Sequence, residues 1–192
     1  MKNKNLNLLI IFFIFLMPFV GSYFYLEYIT KNNEHKTTNH GSFIEPMLDL
    51  KNIEFKLLNK NNKLFSDFSG KWILFYYQNE TCLNKCKNKI FELRQIHIAL
   101  GKDATKVVRF FFNTTHENEI FYNKLSMKYS DMHIISANSL ELKKKLLNRF
   151  KKNNKIFLID PFGNGILVYE IDFNGKMVLK DIKKLLKFSK LK

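Results

Sequence analysis

The sequence predicts an α/β domain, a central mixed sheet flanked by helices, preceded by one N-terminal transmembrane helix. Two observations carry this prediction. Residues 8–26 contain no charged side chain, and the chain after residue 53 alternates short apolar runs with longer amphipathic ones. After the apolar segment, the 192-residue chain has room for one compact domain of about 140 residues.

The apolar segment is long enough to span a bilayer, because 19 residues in a helix reach about 28 Å. Lys2 and Lys4 precede it, which favours a cytoplasmic N-terminus and an extracytoplasmic domain. A cleaved signal peptide is the alternative, since Val20-Gly21-Ser22 resembles a cleavage site, but apolar and aromatic residues continue beyond it. We expect a cytoplasmic N-terminus at 1–7, an anchor at 8–28, a tether at 29–46 and the domain at 47–192.

The net charge of +15 does not predict a nucleic-acid-binding protein. Only Arg94, Arg109 and Arg149 among the 32 basic residues are arginine, and the lysines are spread along the chain. A phosphate-binding groove favours clustered arginine with interleaved aromatic residues. We therefore expect no nucleic acid among the partners.

The alternating pattern predicts six strands and four helices. The predicted strands are 54–58, 72–77, 107–113, 132–136, 156–159 and 166–170, the last two forming a hairpin over Asp160-Pro161-Phe162-Gly163-Asn164. The predicted helices are 85–100, 117–129, 139–150 and 180–188.

Cys82 and Cys86 are the only cysteines, and they follow the strand at 72–77, where the helix at 85–100 begins. Sites form at this end of a strand in open α/β sheets. The helix N-terminus, Lys85 and Lys87 are expected to favour a thiolate there. An i, i+4 spacing places both sulfurs on one helical face, within the range that a disulfide can close, and two thiolates also suit Cu(I). The alternative is a pair of small apolar core residues.

Two stretches of the sequence resemble the Sco/SenC family. They are GKWILFYYQNETCLNKCKNKIFELRQ at residues 70–95 and IFLIDPFGNGILVYE at residues 156–170. Members of this family are membrane-anchored proteins that help to assemble the copper site of cytochrome oxidase. The resemblance implies a thioredoxin-like fold, cytochrome oxidase subunits as partners, Cu(I) as a possible cofactor, and a domain on the periplasmic side of the bacterial inner membrane.

The chain departs from that family at the third copper ligand. The family has a histidine just before its penultimate strand, whereas the matching stretch here is Lys152-Asn153-Asn154. His116, just beyond the strand at 107–113, is the best substitute ligand, and a surface histidine is the alternative. His97 is excluded, because it lies about 16 Å along the helix from Cys86. His40, in the tether, is expected to be a solvated loop residue.

The resemblance therefore implies an oxidase assembly protein that uses Cys82 and Cys86 to hold Cu(I) transiently or to keep a client's thiols reduced. A general thiol-disulfide oxidoreductase is the second hypothesis, and it is the enzyme activity to expect if there is one. It is weakened because neither Pro46 nor Pro161 is placed to lie opposite the cysteines, as a proline does in thioredoxin-type reductases. A structural partner of the oxidase, with no chemistry at the cysteines, is the third.

Overall fold

The computed structural model describes residues 3–31, 38–58, 62–115, 117–151 and 153–189. The chain divides into two compact units, Met1–Thr38 and Asn39–Lys192. The first contains helix α1 (Asn3–Lys31), which accommodates Pro18. Its segment Leu8–Tyr28 has a mean hydropathy of 2.2 over its 21 residues, so α1 is long and apolar enough to cross a membrane.

The second unit is built on a six-stranded mixed sheet in the order β1-β8-β7-β4-β5-β6. Strands β4, β5 and β6 are parallel, whereas β7, β8 and β1 continue the sheet with antiparallel pairings. The strands are β1 (Ser42–Asp49), β4 (Trp72–Gln78), β5 (Val107–Asn113), β6 (Met132–Ile135), β7 (Lys155–Ile159) and β8 (Asn164–Glu170), and β2 (Glu54–Lys56) pairs with β3 (Asn62–Leu64) in a separate ribbon.

Helices cover both faces of the sheet and define two hydrophobic cores. The helices of this unit are α2 (Asn84–Ile98), α3 (Glu119–Lys128), α4 (Leu140–Phe150) and α5 (Gly175–Phe188). Side chains of α2, α3 and α5 pack in one core, and those of α4 pack in the other together with Phe55 of β2. The predicted sheet with helices on both faces is therefore confirmed.

Strand β4 lies in the middle of the sheet, and all seven of its residues are buried. Leu74 and Tyr76 face the core with α2, whereas Phe75 and Tyr77 face the core with α4. A strand buried on both faces reads as a continuous apolar run, which is why its position was predictable from the sequence. Tyr77 shows the effect of this position, because burial raises its pKa to about 12.

The predicted hairpin between β7 and β8 is present, and its turn depends on Gly163. Asp160 Oδ1 accepts hydrogen bonds from the N–H groups of Phe162 and Asn164, at 2.9 and 2.8 Å. Gly163 has a φ of +93°, and a Cβ there would lie 2.8 Å from the Cα of Lys51. Both the backbone conformation and the close approach require glycine.

The beginning of the second unit differs from the expected tether. Strand β1 starts at Ser42, so the sheet includes residues that were expected to link the membrane to the domain. His40 is also not a free loop residue, because its Nδ1 lies 2.9 Å from Asp181 Oδ1 and its N–H donates to Asp181 Oδ2 at 2.8 Å. The prediction of a solvated His40 is wrong, since its partner is 141 residues away and invisible in the local sequence.

Asp181 is the centre of this arrangement, which we call the Asp181 clamp. Besides His40, the N–H of Gly41 and the hydroxyl of Tyr169 donate to its Oδ2, at 3.0 and 2.9 Å. Burial alone would raise the pKa of this carboxyl, but the hydrogen bonds, that of the His40 ring first, hold it below its usual value. The clamp fastens the residues before β1 to α5 and β8.

Candidate functional site

Cys82 and Cys86 lie at the carboxyl end of β4, as the sequence predicts. β4 ends at Gln78 and α2 begins at Asn84, so Cys82 belongs to the connecting loop and Cys86 to the first turn of the helix. The two cysteines form a disulfide with a Cα–Cα distance of 5.1 Å. Their side chains are only 3 and 4% exposed.

The conformation of the loop, rather than a helical i, i+4 spacing, brings the sulfurs together. Leu83 is the N-cap of α2 and has an extended backbone, with φ −82° and ψ −167°. Cys82 therefore precedes the helix, whereas the sequence reasoning placed both cysteines on one helical face. An exposed Leu83, 68% accessible, lies between the two buried cysteines.

Neighbouring strands hold this loop in place. The N–H of Asn79 donates to Asn154 Oδ1 at 2.8 Å, just before β7 begins. The N–H of Thr114, just after β5 ends, donates to the carbonyl oxygen of Gln78 at 2.9 Å, and its hydroxyl donates to Asn79 Oδ1. The ends of β4 and β5 and the start of β7 therefore form one rim around the disulfide.

Glu117 is the residue of this rim that the sequence reasoning missed. Its Oε1 accepts hydrogen bonds from the N–H of Cys82, at 2.7 Å, and from Asn113 Nδ2, at 3.1 Å. Together with burial, its negative charge raises the pKa of Tyr122. In the sequence, its role at the rim was indicated only by its position next to His116, just after the strand at 107–113.

Lys85 and Lys87, which were expected to favour a thiolate, lie in different surroundings. Lys85 Nζ pairs with Asp172 Oδ1 at 3.1 Å, and both side chains are more than two-thirds exposed. Lys87 instead lines a groove between α2 and α3. The helix start still favours negative charge at Cys86, whereas the Glu117 carboxylate disfavours it at Cys82.

A small cavity of about 180 Å³ borders Cys86. Tyr76, Gln78, Glu80 and Asn154 are among its lining residues. The hydroxyl of Tyr76 donates to Gln78 Oε1 at 2.6 Å, and burial, followed by the charge of Glu80, raises the pKa of Tyr76 well above its ordinary value. The tyrosine therefore remains a neutral hydrogen-bond donor at the base of this cavity.

Of the candidate metal ligands, the structure describes Cys82 and Cys86, which lie together in the disulfide. His116 lies outside the described residues. Within the described part of the chain, no group of three or more His, Cys, Asp or Glu side chains is arranged to hold a metal ion. His97 is held away from the rim, with its Nε2 3.0 and 2.8 Å from the carbonyl oxygens of Ala104 and Val107.

The stretch that matches the position of the family's histidine reaches the rim through Asn154, whose side chain is an amide. Asn154 lines the cavity beside Cys86 and accepts the hydrogen bond from Asn79, while its Nδ2 lies 3.4 Å from Glu80 Oε2. An amide is a poor ligand for copper compared with imidazole. Pro46 is likewise remote from the cysteines, since β1 is separated from β4 by β8 and β7.

The mixed sheet and the disulfide between the end of β4 and the start of α2 define a thioredoxin-fold protein with a cysteine pair at the usual place for a site in this fold. The family model described as "Transmembrane-like, thioredoxin-like, C-terminal domain" matches residues 72–189. The chain belongs to this family. No curated protein has a matching sequence.

Solved structures of Sco proteins share the fold. BsSco, a member of the Sco family of cytochrome c oxidase assembly proteins in which a disulfide switch is described, has a TM-score of 0.59 at 13% identity, covering 75% of this chain and 96% of its own. ScoI from Bradyrhizobium japonicum, with copper bound, has a TM-score of 0.54 at 18% identity, covering 75 and 98%. The apo Sco1 protein from Thermus thermophilus has 0.60 at 14%, covering 79 and 99%. The resemblance to Sco proteins is thus confirmed for the fold.

Proposed function

We propose that this chain is a membrane-anchored, Sco-like assembly protein of cytochrome c oxidase that keeps the thiols of a client's copper site reduced through Cys82 and Cys86. The observation that carries the proposal is the disulfide between these residues at the end of β4, since a cysteine pair that can form a disulfide is able to exchange two electrons with a client. The shared fold of BsSco, whose disulfide is described as a switch, supports the same chemistry here.

The exchange begins with the reduced pair. One thiolate of the pair attacks a client disulfide, the client S–S bond breaks, and a mixed disulfide forms as one client thiolate leaves. The second cysteine then attacks the mixed disulfide, closing the Cys82–Cys86 bond and releasing the other client thiolate. Two electrons pass to the client, and the two protons lost by the pair go to the client thiolates. An external dithiol reduces the pair again by the same exchange.

A second candidate function is the transient carriage of Cu(I). It is favoured by the position of the two cysteines on one rim, and ScoI from Bradyrhizobium japonicum, which shares the fold, has been solved with copper bound. Cu(I) is cargo in this function. Its binding releases the two thiol protons and transfers no electron. Cys82 and Cys86 suit Cu(I) because thiolate is a soft ligand, whereas the carboxylate of Glu117 is a hard one. His116 is the proposed third ligand.

Two titrations of the same purified protein distinguish the two functions. The reduced chain is titrated with Cu(I) against a chromogenic chelator, and its disulfide is titrated in a series of dithiol redox buffers. A reductant gives a reversible couple with no copper requirement, whereas a carrier binds one Cu(I) when reduced and releases it on oxidation. Cys82→Ser should abolish both the reversible redox couple and Cu(I) binding. His116→Ala should weaken Cu(I) binding if this imidazole is a ligand. Failure of both titrations would leave a structural partner of the oxidase.

The proposed location is the outer face of the bacterial inner membrane, with α1 retained as a single-pass anchor. Lys2 and Lys4 before the apolar segment support a cytoplasmic N-terminus. The disulfide between Cys82 and Cys86 also fits an oxidising compartment better than the cytosol.

A further inference from the structure

We propose that the groove between α2 and α3 binds an acidic segment of the protein client that carries a large apolar side chain. This docking site rests on the proposed function for its client, and it adds the chemistry by which the client is recognised. The groove has a volume of about 340 Å³. That size is at the lower end of small-ligand pockets and suits one or two peptide side chains.

The floor of the groove is apolar and partly uncovered. Phe91 of α2 is 49% exposed, although it lies on a helix whose opposite face is buried in the core. Phe121 and Tyr129, from the side of α3, complete the aromatic part of the lining. Exposed aromatic surface in a concavity is where an interface gains most of its binding energy.

The rim of the groove is positively charged, and the ammonium group of Lys128 lies 5.5 Å from the centroid of the Tyr129 ring. Lys87, Lys124 and Lys128 all line it. None of the three forms a salt bridge within the part of the chain that the structure describes. On another face of α2, by contrast, Lys89 pairs with Glu92 at 2.7 Å. Three unneutralised ammonium groups around an aromatic floor are complementary to carboxylates flanking an apolar side chain.

The groove lies near the cysteine pair along α2, although neither cysteine is among its lining residues. Its two helices follow the parallel strands β4 and β5 on the same face of the sheet. The Cys82–Glu117 hydrogen bond joins the loops that lead into them, and Lys87 directly follows Cys86. A segment lying in the groove is therefore held next to the loops that carry the cysteine pair. Anionic lipid headgroups would meet the same lysines, but the recessed aromatic floor favours a peptide side chain.

The test uses the full chain in nanodiscs of zwitterionic phosphatidylcholine and a fluorescein-labelled synthetic peptide in which aspartates and glutamates flank two phenylalanines. Fluorescence anisotropy measures its affinity. Lys124→Glu should weaken binding about five- to tenfold, because it exchanges attraction for repulsion at an exposed site. Lys144→Glu is the matched control, since it makes the same charge change at an exposed position of α4, on the other face of the sheet. Its affinity should equal that of the unaltered chain.

Three further titrations make the outcome decisive. A peptide with lysines in place of the acidic residues, and one with serines in place of the phenylalanines, should both bind at least about tenfold more weakly. Equal affinity for the three peptides, or an equal effect of Lys124→Glu and Lys144→Glu, would overturn the proposal. The third titration measures how the chain binds a second population of nanodiscs that contain anionic phosphatidylglycerol. If Lys124→Glu weakened this binding but left the affinity for the peptide unchanged, the groove would be a lipid site and the proposal would be overturned.

The Cys82→Ser, Cys86→Ser double variant keeps this test independent of the thiol chemistry. It has neither a redox couple nor thiolates for Cu(I), yet the groove does not use these side chains. Retained peptide binding in this variant supports docking whatever the redox and copper titrations give. If the double variant fails to fold, the oxidised unaltered chain, in which no free thiol reacts, provides the same measurement.

Discussion

Replacement of Asp181 by asparagine should destabilise the domain by about 2–4 kcal/mol. The carboxylate side chain is 1% exposed and accepts hydrogen bonds from His40, Gly41 and Tyr169. Hydrogen bonds to a charged group contribute about 1.5–3 kcal/mol each, but asparagine retains one acceptor oxygen, so only part of their sum is lost. Both backbone donors and the Tyr169 hydroxyl bond Oδ2, so the oxygen of asparagine can take that position, and its amide group then faces the His40 ring without a charge.

The assay is urea unfolding of the chain from Asn39 onward, followed by the fluorescence of Trp72, the single tryptophan, which is 5% exposed. The same measurement on Asp172→Asn is the control, because that carboxylate is 79% exposed and its pair with Lys85 should contribute less than about 1 kcal/mol. If Asp181→Asn were no more destabilising than this control, the clamp would not stabilise the domain and the reasoning would be refuted.

The clamp also makes a prediction about pH. The pKa of Asp181 is lower in the folded chain than its ordinary value of 3.8, so the folded state favours the ionised form. The resulting stabilisation is complete well above pH 3.8 and is lost as the pH falls through the lower, folded pKa. The difference in unfolding free energy between the unaltered chain and Asp181→Asn should therefore be larger near neutral pH than below about pH 4.

Three other expectations are open to direct measurement. The Cys82→Ser, Cys86→Ser variant should keep its circular dichroism spectrum and a cooperative unfolding transition, because the two cores consist mainly of other apolar side chains. An unfolded variant would make the pair a structural staple. Arg109 is buried with only one of its nitrogens bonded, to Asp131, within the described residues. Arg109→Met should therefore be neutral or stabilising in urea unfolding, whereas Asp131→Asn should be destabilising by about 1–3 kcal/mol; the reverse order would contradict this explanation. An alkaline phosphatase fusion after residue 60 should be active, and an inactive one would place the domain in the cytoplasm.

Local patterns were sufficient for the elements that are buried on both faces or strongly amphipathic. The strand at 107–113 was predicted with the bounds that β5 has, and the β7–β8 hairpin was predicted from its turn residues. Helix α5 begins at Gly175 rather than residue 180, because Asn174 caps its first turn by accepting a hydrogen bond from the N–H of Lys176. Edge strand β1 was missed, since its pairing with β8 joins residues more than a hundred positions apart.

The sequence by itself determined the apolar segment of α1, the α/β class and the location of the cysteine pair, because each depends on residue type and short-range periodicity. The tertiary structure alone decided how Cys82 reaches Cys86, why Glu117 lies at the rim, and that His40 is held by Asp181. These contacts join loops at the ends of different strands, and their partners are set by the order of strands in the sheet rather than by spacing along the chain. The lysines of the α2–α3 groove became recognisable for the same reason, since a surplus of lysine in the sequence does not reveal which lysines form no salt bridge among the described residues.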